Sequence, residues 1–166
     1  MQDVSHSQSL SVAEAEVING TLTPEGHRLL ARVYYADTDF SGVVYHARYL
    51  EFLERGRTDY LRLKGVHHSQ LEEGQLGEPI VWIVRRMEID FRLPARIDDM
   101  LLIETSVIEA SGARVTMRQT IKRNSAVQHS SEQSDLLIEA RVEAALINKQ
   151  GRPRRMPKEW KELFTS

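Results

Sequence analysis

The chain has 166 residues, of which 41% are hydrophobic and 28% are charged. This length and composition fit one globular domain rather than two domains or a disordered chain. The formal net charge of −2 gives no basic footprint for nucleic acid, and the lack of cysteine excludes disulfides, zinc–thiolate sites and a cysteine nucleophile. We find neither a secretory signal pattern nor an apolar run long enough to span a membrane, so we expect a cytoplasmic protein.

The first half of the chain predicts a tail, a strand and a helix. Residues 1–26 are rich in Ser, Gln and Glu without a hydrophobic period, which is typical of a flexible tail. A domain is expected over residues 27–157, and its β-branched and aromatic run at 28–35 predicts a first strand. Residues 46–64 place apolar side chains at three- and four-residue spacing, which predicts a helix that ends at Gly65.

The second half of the chain predicts a sheet, because the hydrophobic period changes from 3.6 to 2. Apolar and polar residues alternate in four successive runs, which are 81–93, 101–107, 115–122 and 136–146. Four half-buried strands joined by short turns form an antiparallel sheet with one apolar face, and the long helix has a natural place against that face. The order β-α-β-β-β-β indicates an α+β domain, followed by a short tail of helical character at residues 158–166.

The residues that could carry chemistry lie between the first strand and the helix. They are Asp37, Asp39, Gly42 and His46. No Ser, Thr, Asp or Asn stands directly before His46 to cap the helix, so its first backbone N–H groups are available to a ligand. A carboxylate beside a helix N-terminus supplies the parts of an acyl-transfer site. Two carboxylates and one histidine could also ligate a hard metal, although they form a thin ligand set.

Two longer motifs identify a family resemblance. Residues 35–49 read Tyr-x-Asp-Thr-Asp-x-x-Gly-Val-Val-Tyr-His-x-x-Tyr, and residues 52–57 read Phe-Leu-Glu-Arg-Gly-Arg. Together with Pro-Ala-Arg-Ile-Asp-Asp-Met-Leu at 94–101, they resemble the 4-hydroxybenzoyl-CoA thioesterase-like hotdog family, and within it the branch of Tol–Pal-associated acyl-CoA thioesterases. The resemblance covers residues 28–157. It implies a long helix wrapped by a five-stranded antiparallel sheet, homodimers or homotetramers, and active sites at the subunit interface.

The resemblance also implies site residues and a reaction. Asp39 would act as nucleophile or general base on an acyl-CoA thioester with a short or aromatic acyl group. The backbone N–H of His46 would contact the thioester carbonyl, and its imidazole would orient Asp39 or assist proton transfer. We expect the other substrate-binding residues to be Gly42, Val44, Tyr45, Tyr49 and Glu54.

Arg152 and Arg154 are candidates for the phosphates of coenzyme A, because arginine forks suit phosphate oxygens. No separate cofactor and no metal are implied, since coenzyme A is part of the substrate. Plainer interpretations exist for these residues. Asp39 also suits a turn, His46 a helix start, and the two arginines a solvated basic segment.

Other functions compete with thioester hydrolysis. The strongest is a non-catalytic acyl-CoA or acyl-carrier-protein binding scaffold of the cell-envelope or lipid machinery, although a pure binder has no need of a carboxylate beside an oxyanion site. A hotdog hydratase would need a differently placed histidine and acid, which we do not find. The sequence contains no Gly-x-Ser-x-Gly elbow of a serine hydrolase and no phosphate-binding loop of a nucleotide hydrolase.

Overall fold

The computed structural model describes residues 18–124 and 135–165. Its strands are β1 (Thr21–Thr23), β2 (Gly26–Arg32), β3 (Ile80–Phe91), β4 (Met100–Ser111), β5 (Arg114–Arg123) and β6 (Asp135–Asn148). Its helices are α1 (His46–Leu63), α2 (His68–Glu72) and α3 (Lys158–Thr165), and a single 3₁₀ turn covers Tyr35–Asp37. The strands form one antiparallel sheet in the order β1-β2-β4-β5-β6-β3. The expected α+β class is confirmed.

The sheet has six strands rather than the five expected. The additional strand is β1, three residues that pair with β2 across a tight turn. It lies inside the segment expected to be a tail, whose residues 1–17 are outside the described residues. A run of three residues is too short to show a period, which is why the sequence pattern missed it.

Helix α1 packs on the apolar face of the sheet, as the alternating pattern requires. Its buried side chains follow helical spacing and include Tyr49, Leu53, Tyr60 and Leu61. The helix ends as predicted, because Gly65 adopts a positive φ of 81° and its N–H donates to the Arg62 carbonyl.

The core has two apolar clusters, one at each end of α1. The first surrounds Leu53 and the second surrounds Tyr60, and α3 closes the second with Phe164. Between them, at Gly56, the helix lies close against the sheet. A β-carbon there would lie 2.8 Å from Ile103 Cγ2, which is closer than real side chains come.

Strand β3 forms one edge of the sheet, and β6 is its only strand partner within the described part of the chain. It is twelve residues long, and it leaves Val81, Ile83 and Val84 at 37%, 41% and 48% exposure. A long open edge with apolar side chains is a template for pairing with another strand. None of the described helices is long and apolar enough to cross a membrane.

We expect Gly56→Ala to destabilise the fold although alanine is the better helix former. Alanine gains about 1 kcal/mol of helix propensity over glycine, whereas overpacking a close contact costs about 1–3 kcal/mol. Urea unfolding should show a lower free energy of unfolding. The loss should shrink in an Ile103→Ala background, because that substitution removes the nearest clashing atom. A stabilised Gly56→Ala protein would contradict the close approach.

Candidate active site

The segment between β2 and α1 is an ordered loop whose backbone is held from two sides. The Tyr45 N–H donates to the Asp37 carbonyl at 2.9 Å, and the Asp39 N–H donates to the Val43 carbonyl at 3.1 Å. The Val44 N–H donates to the Ala95 carbonyl at 2.9 Å, which ties the loop to the segment before β4. These bonds fold the loop back on itself just before α1 begins, and they bring Asp39 close to the helix N-terminus.

The carboxylate of Asp39 is exposed and is held by one neighbour. Its Oδ1 accepts a hydrogen bond from the Ser41 N–H at 2.8 Å and another from the Ser41 hydroxyl. These two bonds, the hydroxyl first, lower the pKa of Asp39 below its ordinary 3.8, and the nearby His46 contributes in the same direction. Slight desolvation opposes them. Asp39 is therefore ionised at neutral pH, as a base or nucleophile must be.

His46 is the first residue of α1, and the residue before it provides no side-chain cap. The Arg48 N–H is taken by the Tyr45 carbonyl, but no acceptor pairs with the His46 N–H within residues 18–124 and 135–165. Its imidazole is exposed and packs 4.4 Å from the Tyr45 ring, centroid to centroid. The expectation of a free backbone donor at this helix start therefore agrees with the structure.

The other loop residues differ in their access to solvent. Gly42 is exposed at a φ of 77°, and no atom lies within 4 Å of the position that a β-carbon would occupy. Tyr45 is 45% exposed, whereas Val44 is buried. Of these three residues, Gly42 and Tyr45 are open to a ligand, and Val44 anchors the loop to the core.

Tyr49 lies one turn into α1 and is buried. Its hydroxyl oxygen accepts the Ala95 N–H at 2.8 Å, and burial is the main cause that raises its pKa. The ring centroids of Tyr49 and Phe91 lie 5.9 Å apart in an edge-to-face arrangement. The ring centroids of His46 and Phe91 lie 6.5 Å apart. Phe91 is 51% exposed at the end of β3, so it forms a wall beside the helix start that the sequence analysis did not single out.

Asp37 has a structural task. Its Oδ2 accepts the Tyr34 N–H at 2.8 Å, and its Oδ1 lies 3.7 Å from Arg48 Nε. These contacts support the turn that precedes Asp39. No group of three or more His, Asp or Glu side chains able to hold a metal occurs in the part of the chain that the structure describes.

Glu54 lies two helical turns beyond His46, about 12 Å along the axis. It is exposed, it accepts a hydrogen bond from the Thr58 hydroxyl at 3.1 Å, and it lines a cavity of about 130 Å³ between α1 and the start of β3. The buried Arg57 lines the same cavity. Arg57 was not a sequence candidate, although a cation on the apolar face of a predicted helix is a usable signal.

Arg152 and Arg154 lie far from Asp39 in the same chain. They follow Asn148, which pairs with Ile80 at the start of β3, whereas Asp39 lies near the other end of that strand. The length of β3 separates them by on the order of 35 Å. Arg154 is engaged with Glu78, and Arg152 is exposed. A single chain thus does not bring these arginines to the loop.

Comparisons with known proteins find thioesterases among those similar to this chain. The sequence profile of the thioesterase-like superfamily matches residues 33–164. The chain is 40% identical over 141 residues to the acyl-CoA thioesterase YbgC of Haemophilus influenzae, covering 84% of this chain and 94% of that protein.

Solved structures show the same fold. A probable thioesterase from Bartonella henselae superposes with a TM-score of 0.70 at 50% identity, covering 80% of this chain and 99% of that one. A 4-hydroxybenzoyl-CoA thioesterase mutant in complex with 4-hydroxybenzoyl-CoA superposes with a TM-score of 0.74 at 19% identity, covering 84% and 99% of the two chains. At that identity the second likeness speaks for the fold alone.

We expect Ser41→Ala to raise the pKa of Asp39 towards 3.8, because it removes the hydroxyl bond and leaves only the backbone one. NMR titration of the Asp39 carboxyl carbon measures the change. Ser41→Thr retains a hydroxyl and should keep the pKa low. An unchanged pKa in the alanine variant would refute this role for Ser41.

Proposed function

The chain belongs to the thioesterase-like superfamily, and from this we propose that it is an acyl-CoA thioesterase whose catalytic carboxylate is Asp39. The observation that carries the proposal is the pairing of an ionised, exposed carboxylate with a free backbone N–H at the start of α1. The carboxylate can attack the thioester carbonyl carbon, or it can activate a water that does so. The N–H can bind the carbonyl oxygen as that oxygen becomes negative. Neither arrangement is needed for binding alone.

The reaction divides between these two groups. The thioester carbonyl lies with its oxygen at the His46 N–H, where the helix dipole favours developing negative charge. Asp39 then either attacks the carbonyl carbon or takes a proton from a water that does so. Coenzyme A leaves as the thiol, and the acyl group leaves as the free acid. The His46 imidazole orients Asp39 or assists proton transfer.

The two routes differ in where solvent oxygen is incorporated. Attack by Asp39 forms a mixed anhydride, and its hydrolysis at the Asp39 carbonyl leaves a solvent oxygen in the side chain. Single-turnover hydrolysis in heavy-oxygen water, followed by peptide mass spectrometry, detects that label. Label in Asp39 requires the anhydride, whereas label only in the released acid fits the general-base route or an anhydride that water opens at the acyl carbonyl.

The acyl group is proposed to be short or aromatic, and Gly42 and Tyr45 are proposed to contact the substrate. Both are exposed beside the helix start. Tyr49 and Val44 are proposed to support the site without contacting the substrate, because both are buried. Val44 holds the loop, and Tyr49 holds Phe91 in place. Coenzyme A enters as part of the substrate, and an acyl carrier protein is the alternative carrier.

We further propose that the enzyme is a homodimer formed by edge-to-edge pairing of β3. Two such dimers can assemble further to a homotetramer. The open twelve-residue edge and its exposed apolar side chains support this pairing. It would also explain how Arg152 and Arg154 reach coenzyme A. Two β3 strands related by a two-fold axis run antiparallel, so the start of one strand lies beside the end of the other.

We expect Asp39→Asn to lower kcat/KM for acyl-CoA at least 100-fold, because a positioned base contributes on the order of 10²–10⁴-fold. Thiol release from short, medium, long and aromatic acyl-CoA measures the loss and the acyl preference. Asp37→Asn is the matched control, since Asp37 supports the turn and should cost less than tenfold. Equal losses in both variants, or full activity in Asp39→Asn, would refute the assignment of Asp39.

We expect Ile83→Glu to dissociate the dimer, because it places a charge on the pairing edge. Light scattering after size exclusion should report the monomer mass. Ile108→Glu is the control, since Ile108 is 50% exposed on β4, away from that edge. A dimeric Ile83→Glu protein would place the interface elsewhere.

A further inference from the structure

Arg57 is a buried cation that makes no ion pair with the described carboxylates. It is 9% exposed, and its Nη1 donates to Gln119 Oε1 at 2.9 Å. Gln119 is fully buried and donates in turn to the Leu53 carbonyl at 2.9 Å and to the Thr105 hydroxyl at 2.8 Å. This network fixes the guanidinium through one nitrogen. The desolvation that lowers the pKa of Arg57 is only partly offset by the nearby Glu54.

Arg57 lines the cavity between α1 and β3, and its other nitrogens have no hydrogen-bond partner among the described residues. Within residues 18–124 and 135–165, the fully enclosed side-chain nitrogens without a partner belong to His27 and Trp82. The unpaired nitrogens of Arg57 therefore touch accessible space, and the 130 Å³ cavity is a space that Arg57 lines. Apolar side chains such as Val84 and Met117 also line the cavity. They lower the local dielectric constant, which strengthens the electrostatic interaction of Arg57 with a group in the cavity.

The charged and titratable groups around this cavity are few. Glu54 and His68 line it with Arg57. Glu54 is exposed and already accepts the Thr58 hydroxyl, and burial lowers the pKa of His68, which leaves that ring neutral at neutral pH. Arg57 is therefore the buried charge of the cavity, and a buried charge without a counter-charge is costly.

Asp39 presents the opposite situation at the other end of β3. Its carboxylate is ionised, it is bonded only to Ser41, and it forms no ion pair with the described cations. Phe91, the last residue of β3, packs beside His46 at the start of α1. Trp82, near the first residue of β3, lines the cavity that Arg57 also lines. Two-fold pairing of β3 lays the end of one strand beside the start of the other, and so brings the loop of one protomer to the cavity of its partner.

We propose that Arg57 is a positioning residue that acts across the dimer, with its guanidinium facing Asp39 of the partner subunit over the substrate cleft. This inference rests on the proposed function. Dimer formation removes Asp39 from water, which by itself favours its neutral form. The charge of Arg57 keeps the carboxylate ionised in the closed interface and holds it beside the thioester.

Subunit complementation tests the proposal directly. Asp39→Asn and Arg57→Met chains with different affinity tags are co-expressed, and the heterodimer is isolated. One of its two sites then combines a native Asp39 with a native Arg57, so the heterodimer should show about half the wild-type kcat/KM. Each parent homodimer should be at least tenfold below wild type. If Arg57 acts within its own chain, both sites are damaged and activity stays at the parent level, which overturns the proposal.

Arg55→Met is the matched control, because Arg55 is an exposed arginine two residues away that packs on Phe52. This variant should retain wild-type activity, and its heterodimer with Asp39→Asn calibrates the activity of one native site. Should Arg57→Met fail to fold as a dimer, Arg57→Gln carries the same test, since its amide can still donate to Gln119. A wild-type protein without turnover of any acyl-CoA overturns the proposed function and this inference together. Turnover without complementation overturns only the inference.

The pH profile separates a charge effect from a packing effect. In Arg57→Met the acid limb of kcat/KM should move to higher pH by about one unit, because an arginine beside an aspartate lowers its pKa by about 1–3 units. Arg57→Lys keeps the charge and should leave the limb near its wild-type position. An unmoved limb in Arg57→Met overturns the charge role.

Discussion

The close approach of α1 to the sheet at Gly56 is the contact on which the rest of the structure depends. A side chain there would strike Ile103 on β4, so glycine sets the depth at which the helix lies. That depth lets Gln119 reach the helix backbone and Arg57 at once. The result is a polar layer between two apolar clusters, and its buried hydrogen bonds favour one register of helix on sheet.

The position of the helix in turn sets the position of the loop that carries Asp39. The loop connects the end of β2 to the first turn of α1. Ala95 is hydrogen-bonded to Val44 of the loop and to Tyr49 of α1, and so holds the two together. Asp39 is thereby held by backbone geometry and by Ser41 rather than by burial. A carboxylate that stays in water avoids the desolvation that would raise its pKa, and in the proposed dimer it would become enclosed only when substrate and the second subunit cover it.

The two halves of the proposed site lie at opposite ends of one edge strand. The half with Asp39 would supply the base and the oxyanion donor, and no cation among the described residues pairs with that carboxylate. The half with Arg57 has a buried cation and a cavity, and no described carboxylate forms an ion pair with that cation. An antiparallel pair of β3 strands would place the Asp39 half of one subunit beside the Arg57 half of the other subunit. The same open edge that would be an aggregation risk in a monomer would then be the element that assembles the site.

Sequence pattern alone determined the α+β class, the long helix with its glycine stop and the four long strands, because each follows from periodicity and local turn chemistry. The motif around Asp39 and His46 likewise indicates acyl transfer. It could not determine the short β1 pairing, the role of Ser41, or the meeting of Phe91 with the helix start, since these depend on which distant segments become neighbours. Arg57 illustrates the limit most clearly. The sequence places it on a helix, and only tertiary packing decides that it is buried, bonded to Gln119 and open to a cavity.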